Sequence, residues 1–241
     1  MLASAQYGYA NGIRSQVAFP PALVPPTVPQ GLQDNLLAPI ATLATTLHAD
    51  RDEEIISQGD AAEYCYEVVT DCVRTVRLLE DGRRQLGEFL LAGDVFGWDT
   101  SDEYEFGAEA VTAVTLRRVR LSAVEDRASR DLNFAQRLRA FSTAQVRLAR
   151  GRLVLLGRKT AAERVASFLL EMADRLHVTG VPMIELPMNR GDIADYLGLT
   201  IETVCRELTD LRHQGTIAVE RARISILDSR ALARAGSDRV H

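Results

Sequence analysis

Residues 189–215, NRGDIADYLGLTIETVCRELTDLRHQG, constrain the fold of this chain more than any other stretch. Asp192 to Leu197 carries apolar residues at Ile193, Ala194 and Leu197, which is helical spacing. Gly198 follows, and a glycine accepts the positive φ that a sharp corner between helices requires. Thr200 is a good N-cap for a second helix reaching about His213, and Gly215 suits the residue that ends it. Ile201, Val204, Leu208 and Leu211 give the second helix an apolar stripe, while Glu202, Thr203, Arg206 and Glu207 lie near its start on other faces. Two short helices joined this way form a helix-turn-helix, which offers the beginning of its second helix to base edges in the major groove of DNA. Arg206 can donate a bidentate pair to guanine, and Glu202 can accept from a cytosine amino group. Glu207 departs from the pattern, since an apolar residue usually stands three places after Val204. A helical hairpin buried in a core is the plainer alternative.

At 241 residues the chain has room for one or two domains with real cores. Its apolar content of 46% and charged content of 25% are globular values. No apolar run approaches ~18 residues, so no membrane span is expected, and residues 1–18 lack the basic start and apolar centre of a secretory signal. A cytoplasmic location is therefore expected. The net charge of −5 argues against an indiscriminate nucleic-acid binder but not against a specific one, because local placement of charge matters more than the sum. Lys159 is the single lysine among 28 basic residues. Arginine suits phosphate and guanine recognition, though the codon bias of a GC-rich genome accounts for the same excess. Three cysteines cannot pair completely, and Cys65 and Cys72 stand further apart than metal ligands usually do, with no histidine beside them. Buried thiols acting as small hydrophobes explain them, and no metal is expected.

Five of the eight prolines (Pro20, Pro21, Pro25, Pro26 and Pro29) fall in residues 1–30, which predicts a flexible N-terminal segment. Gln33 to Leu47 reads as a short helical lead-in. From about Asp52 to Arg120 short strands take over: Ile55-Ile56, Tyr64 to Val69, Val73 to Leu79, Arg83 to Leu90, Ala108 to Val114 and Thr115 to Val119. Asp81-Gly82 suits a tight hairpin turn between two of them. The spacing predicts a β-roll over residues 31–120. Ser122-Ala-Val-Glu125 reads as a capping box that opens a helix continuing without proline to about Gly157. Phe134, Leu138, Phe141, Leu148 and Leu155 fall on a heptad-like stripe, interrupted at Gln145 and Arg152. That predicts a dimerisation helix over residues 121–157, the alternative being a helix packed only on its own roll. Thr160-Ala-Ala-Glu163 is a second capping box, and Val181 to Leu186 reads as a strand. After Gly215, Ile217 to Val219 and Ile224 to Leu227 flank Arg221-Ala222-Arg223, a hairpin wing whose Arg221 and Arg223 are candidates for phosphate contact, or simply solvated charge. The fold class is α+β: β-roll, long helix, then a winged helix-turn-helix over residues 158–241.

This order, and the residues in it, resemble the CRP/FNR superfamily of bacterial transcription regulators over about residues 45–235, with the FixK branch most similar. The segments that carry the resemblance are EYCYEVVTDCVRTVRLLEDGRRQLGEFLLAGDVFG in the roll, LLGRKTAAERVASFL at the exit of the long helix and LPMNRGDIADYLGLTIETVCREL in the DNA-binding part. The resemblance implies a homodimer in which Glu202 and Arg206 read each half of a TTGAT-N4-ATCAA palindrome and Ile201 touches a thymine methyl. It further implies that Arg190, Thr200 and Thr203 hold phosphates, with position 205 beside them. Serine is usual there, and Cys205 is a weaker donor. Its place at the DNA face makes thiol oxidation a candidate control, next to the plainer reading of an inert serine substitute. RNA polymerase is an implied partner.

Departures from the superfamily bear on the effector. Residues 1–50 contain no cysteine, so four iron–sulfur ligands cannot be assembled. Trp98 follows Gly97 where cyclic-nucleotide sensors have glutamate, and Glu105-Phe106-Gly107-Ala108 stands about where they have Arg-Ser. No arginine lies between Trp98 and Leu116, and Asp99, Asp102, Glu103, Glu105 and Glu109 would repel a cyclic phosphate. The histidines are His48, His177, His213 and His241, none of which reads as a haem ligand in the roll. No cofactor is expected. A transcription activator that works without a bound small molecule is the first expectation, controlling genes of microaerobic respiration and nitrogen fixation as the resemblance implies. A regulator gated by an unidentified ligand in the roll is the second. A metal-dependent cupin enzyme is disfavoured, because residues 51–120 contain no histidine.

Overall fold

The computed structural model describes residues 36–98, 102–176 and 183–237. The proline-rich residues 1–30 lie outside the described residues. A 3₁₀ helix, Ala38–Leu43, leads into eight strands: β1 Thr45–Ala49, β2 Glu54–Ile56, β3 Tyr64–Thr70, β4 Cys72–Leu78, β5 Arg84–Leu91, β6 Val95–Phe96, β7 Gly107–Ala110 and β8 Val114–Arg120. They form two antiparallel four-stranded sheets, ordered β1-β8-β3-β6 and β2-β7-β4-β5. Strand structure thus begins at Thr45, earlier than the expected helical lead-in to Leu47 allows. Thr45 and Thr46 are β-branched, and β1 pairs along its whole length with β8. His48 consequently belongs to the roll, exposed on β1 beside the Thr115 hydroxyl.

Period-two alternation sends Tyr66, Val68, Val73, Leu90, Ala108 and Leu116 into the space between the two sheets. The opposite face of β4–β5 carries an apolar patch as well: Cys72, Val76, Leu86, Phe89 and Leu91 pack with the C-terminal half of the chain in one continuous core. The middle of β4–β5 is therefore covered on both sides. The β4–β5 hairpin turns at Asp81-Gly82, between Leu79 and Arg83, whose main chains pair at 2.8 Å. The Gly82 amide donates to the Leu79 carbonyl at 2.9 Å, and Gly82 takes a φ of 81°. Gly87 is a second position that only glycine suits, since a Cβ there would lie 2.6 Å from Thr75 Oγ1 and 3.0 Å from the Phe106 ring.

Six helices follow: α1 Leu121–Arg130, α2 Leu132–Arg158, α3 Ala161–Arg175, α4 Arg190–Leu197, α5 Ile201–His213 and α6 Ser229–Gly236. The expected continuous helix is two. Asp131, at φ −130° and ψ 100°, interrupts it and caps α2 by accepting from the amides of Asn133 and Phe134. The Ser122 capping box does not form. The helix starts two residues before such a box would set it, at Leu121, with Arg120 as N-cap and no side-chain cap. The Thr160–Glu163 box does form, with both reciprocal hydrogen bonds present.

The stripe expected to be an intermolecular seam is covered by the chain's own residues. Phe134, Leu138 and Phe141 are buried against Leu36, Leu37, Ile40, Cys65, Val95, Val119 and Val124, and Leu148 packs partly on the same cluster. Leu155 joins the core shared with the C-terminal half. The physical reason is direct: α2 lies along the roll, and the roll needs an apolar lid. Cys65 and Cys72 sit in two different clusters, and burial pushes both thiols up to about 12, so they are neutral, inert hydrophobes. Among the described residues no helix is long and apolar enough to cross a membrane.

Candidate nucleic-acid interface

The C-terminal half is built around α4 and α5. Asn189 and Asp192 form a capping box at the start of α4. Gly198 then turns the chain at φ 60° and ψ 43°, its amide donating to Ala194 O, and Leu199 N reaches the same carbonyl at 2.9 Å. Thr200 caps α5 by accepting from Thr203 N at 3.2 Å. Val204, Leu208 and Leu211 are buried and anchor α5, so its orientation is set from below. Ile201 does not join them. It is 50% exposed and lies on the outer face with Glu202, Cys205 and Arg206. Spacing of i, i+4 places Ile201 beside Cys205 and Glu202 beside Arg206 on that face.

This face is chemically equipped to read bases. The Glu202 carboxyl is held below its ordinary value by its own main-chain amide and then by the Thr200 hydroxyl, so it is an anionic acceptor at neutral pH. The Arg206 side chain is 63% exposed and donates to Glu207 Oε1 at 3.1 Å. Glu207, the residue that departs from the helix-turn-helix pattern, is thus a partly buried partner of Arg206. Cys205 is an exposed free thiol, and its carbonyl accepts from the Thr209 hydroxyl.

The wing is a three-stranded sheet of β9 Met183–Glu185, β10 Ile217–Glu220 and β11 Arg223–Ile226, in the order β10-β11-β9. Arg221 stands at its tip with φ 58°. Its carbonyl accepts from Arg190 at 3.3 Å, which ties the wing to the start of α4 and brings two of the expected phosphate-contact residues together. Arg223, on β11, forms an exposed ion pair with Glu185 of β9 at 3.2 Å.

Two family models match the chain: a cyclic nucleotide-binding domain over residues 46–131 and a Crp-like helix-turn-helix domain over residues 163–235. The nitrogen fixation regulation protein FixK of Azorhizobium caulinodans is 46% identical over 198 residues, which span 81% of this chain and 80% of that protein. The chain is a FixK-like member of the CRP/FNR family of transcription regulators. FixK of Rhizobium meliloti is 41% identical over 74% of this chain and 81% of that protein. The solved structure of FixK2 from Bradyrhizobium japonicum superposes with a TM-score of 0.78 at 44% identity, covering 81% of this chain and 98% of that one. The α4–Gly198–α5 unit of this regulator is accordingly its DNA-binding element.

One group of polar residues escapes a reading of the sequence: the junction between roll and helix-turn-helix. Arg152 of α2 donates to the Gly87 carbonyl and to the Tyr196 hydroxyl, with its guanidinium 3.9 Å from the centre of the Tyr196 ring. Tyr196 donates in turn to Glu171 and packs on Phe89 and Phe168. Arg175 bonds the Phe89 carbonyl and Asp94. A signal is present, since Arg152 interrupts the apolar stripe at the place where a polar network crosses it.

Proposed function

We propose that two copies of this FixK-like regulator bind a TTGAT-N4-ATCAA palindrome and activate transcription there through RNA polymerase. On this reading Glu202 and Arg206 read bases in each half and Ile201 meets a thymine methyl. Arg190, Thr200, Thr203 and Cys205 contact the backbone, with Arg221 and Arg223 of the wing at its edge. The observation that carries the reading is the exposed cluster of Ile201, Glu202 and Arg206 at the beginning of α5, on the side away from its buried anchor. Genes of microaerobic respiration and nitrogen fixation are the proposed targets, the latter in keeping with the names of the FixK relatives.

For the dimer we propose a different face of α2 from the stripe that periodicity picks out. Leu132, Val146 and Leu153 are 72%, 50% and 74% exposed, and they recur every seven residues with Arg139 between them. Val154, 49% exposed, adds to the same apolar surface. Since the other side of α2 covers the roll, this face is the one free to meet a second copy.

Arg206→Ala is expected to cost about 1–3 kcal/mol at each half-site and to relax base preference there. Arg190→Ala should weaken cognate and scrambled duplexes alike. Fluorescence anisotropy on both duplexes checks this, and an equal loss on scrambled DNA for Arg206→Ala would remove its base-reading role.

We further propose that no cyclic nucleotide is needed, although the roll matches a cyclic nucleotide-binding model. Phe106 packs against Gly87 in the segment where the resemblance puts the phosphate partners. Two arginines do reach that segment from β4, which the sequence order conceals, but both are engaged: Arg74 with Glu109 at 2.7 Å and Arg77 with Glu105 at 3.9 Å. Calorimetry with cyclic AMP and cyclic GMP is expected to give no saturable heat. Saturable binding that also raises DNA affinity would instead establish the ligand-gated reading.

A further inference from the structure

The helix-turn-helix is fastened to the roll by charges, and the fastening falls on one helix. Asp192, in the first turn of α4, has a fully buried side chain. It accepts from Arg74 of β4 through both oxygens at 3.3 Å and from Arg84 of β5 at 3.0 Å. Arg84 bridges onward to Asp195 at 2.6 Å, and the Gln85 side chain donates to the Asp195 carbonyl at 2.8 Å. Arg74 is held from behind by Asp52 and Glu109. One turn further along α4, Tyr196 is gripped by Arg152 and Glu171.

A helix held at two points a turn apart has its axis direction fixed. Apolar contact alone is non-directional and leaves a helix free to roll, whereas charge-assisted hydrogen bonds from a planar guanidinium impose angle as well as distance. The clamp does not cover the reading face, because Ile201, Glu202, Cys205 and Arg206 are all exposed. It orients that face without blocking it. The motion of α4 is passed to α5 through the short corner at Gly198 and Leu199, both of whose amides bond Ala194.

We propose that Arg84 and Asp195, backed by the buried Arg74–Asp192 pair, are positioning residues for DNA recognition: they pin α4 to the β4–β5 hairpin so that α5 is presented at one fixed angle without a ligand. This rests on the palindrome reading above. In a dimer, two rigidly held reading helices engage the second half-site at a high effective concentration. Loosely held ones lose that advantage while still binding a single half-site.

The test uses the full-length chain with Arg84→Ala and, separately, Asp195→Asn, both at partly exposed positions. Affinities are measured on the palindrome, on a duplex with one half-site, and on palindromes with the spacer one base pair shorter or longer. Each variant should lose about tenfold or more on the palindrome, stay within about threefold on the single half-site, and discriminate less among spacers. Hydrogen exchange at residues 193–197 should quicken in both variants while β3 and β8 are unchanged. Equal losses on every duplex, or no loss on any, would overturn the proposal. If the wild type itself binds palindrome and scrambled DNA alike, the recognition reading fails. The exchange data then decide the clamp on their own, and unchanged protection of α4 in both variants would overturn it.

Discussion

Arg74→Ala is expected to lower the stability of the chain by about 3–5 kcal/mol, the cost of removing one partner from a buried ionic cluster. The Arg74 side chain is only 7% exposed, and three carboxylates converge on it. Asp52 and Glu109 keep access to water, at 61% and 29% exposure, and can be re-solvated in the variant. Asp192 cannot, being 1% exposed, and would be left with Arg84 as its charged partner. Asp192 also completes the N-terminal cap of α4, so strain there reaches the DNA-binding element. Asp52→Ala, by contrast, removes an exposed carboxylate and should change stability by less than about 1 kcal/mol. Urea unfolding of the two variants beside the wild type measures the difference. A loss below about 1 kcal/mol for Arg74→Ala would mean that Arg84 and the Asn189 amide suffice to hold the buried Asp192 carboxylate.

The second large effect separates the two faces of α2. Phe141 is 2% exposed and belongs to the cluster that closes the roll. Phe141→Ala should therefore cost about 3–5 kcal/mol in unfolding experiments while the surviving folded protein keeps its oligomeric state. Leu153 is 74% exposed on the other face. Leu153→Glu should leave unfolding of the protomer within about 0.5 kcal/mol, as surface substitutions usually do, yet shift sedimentation toward the monomer and weaken palindrome binding. If Phe141→Ala dissociates the dimer without a stability loss, the heptad-like stripe is the seam after all.

Elements whose signal is local are legible in the residues themselves. Asp81-Gly82 and its alternating flanks mark the hairpin between β4 and β5. Gly198, Thr200 and the spacing of Val204, Leu208 and Leu211 mark the helix-turn-helix. The features that sequence patterns miss depend on contacts from across the fold. Asp131 breaks the long helix as an N-cap, and an aspartate inside a polar helical run carries no such mark until its partners Asn133 and Phe134 are in place. Ser122 has the residues of a capping box, but pairing of β8 with β3 through Arg120 carries the strand to the helix and sets its start at Leu121. The stripe of Phe134, Leu138 and Phe141 is apolar as its spacing predicts. Periodicity reports that a face is covered without telling what covers it. The exposed face of α5 is located by motif, whereas Arg74 and Arg84 lie more than a hundred positions from Asp192 across the junction and share no pattern with it.

The apolar patch on the outer face of β4–β5 has a consequence for how this regulator can be taken apart. Cutting the chain after α2 would strip Val76, Leu86 and Phe89 of their cover and present a hydrophobic wall to solvent. Exchanging the C-terminal half for that of a distant relative would require the newcomer to supply counterparts of Phe168, Leu169 and Tyr196 at the same places. Roll and helix-turn-helix are thus halves of a single body, and evolution can retune one of them only within the shape that the other accepts.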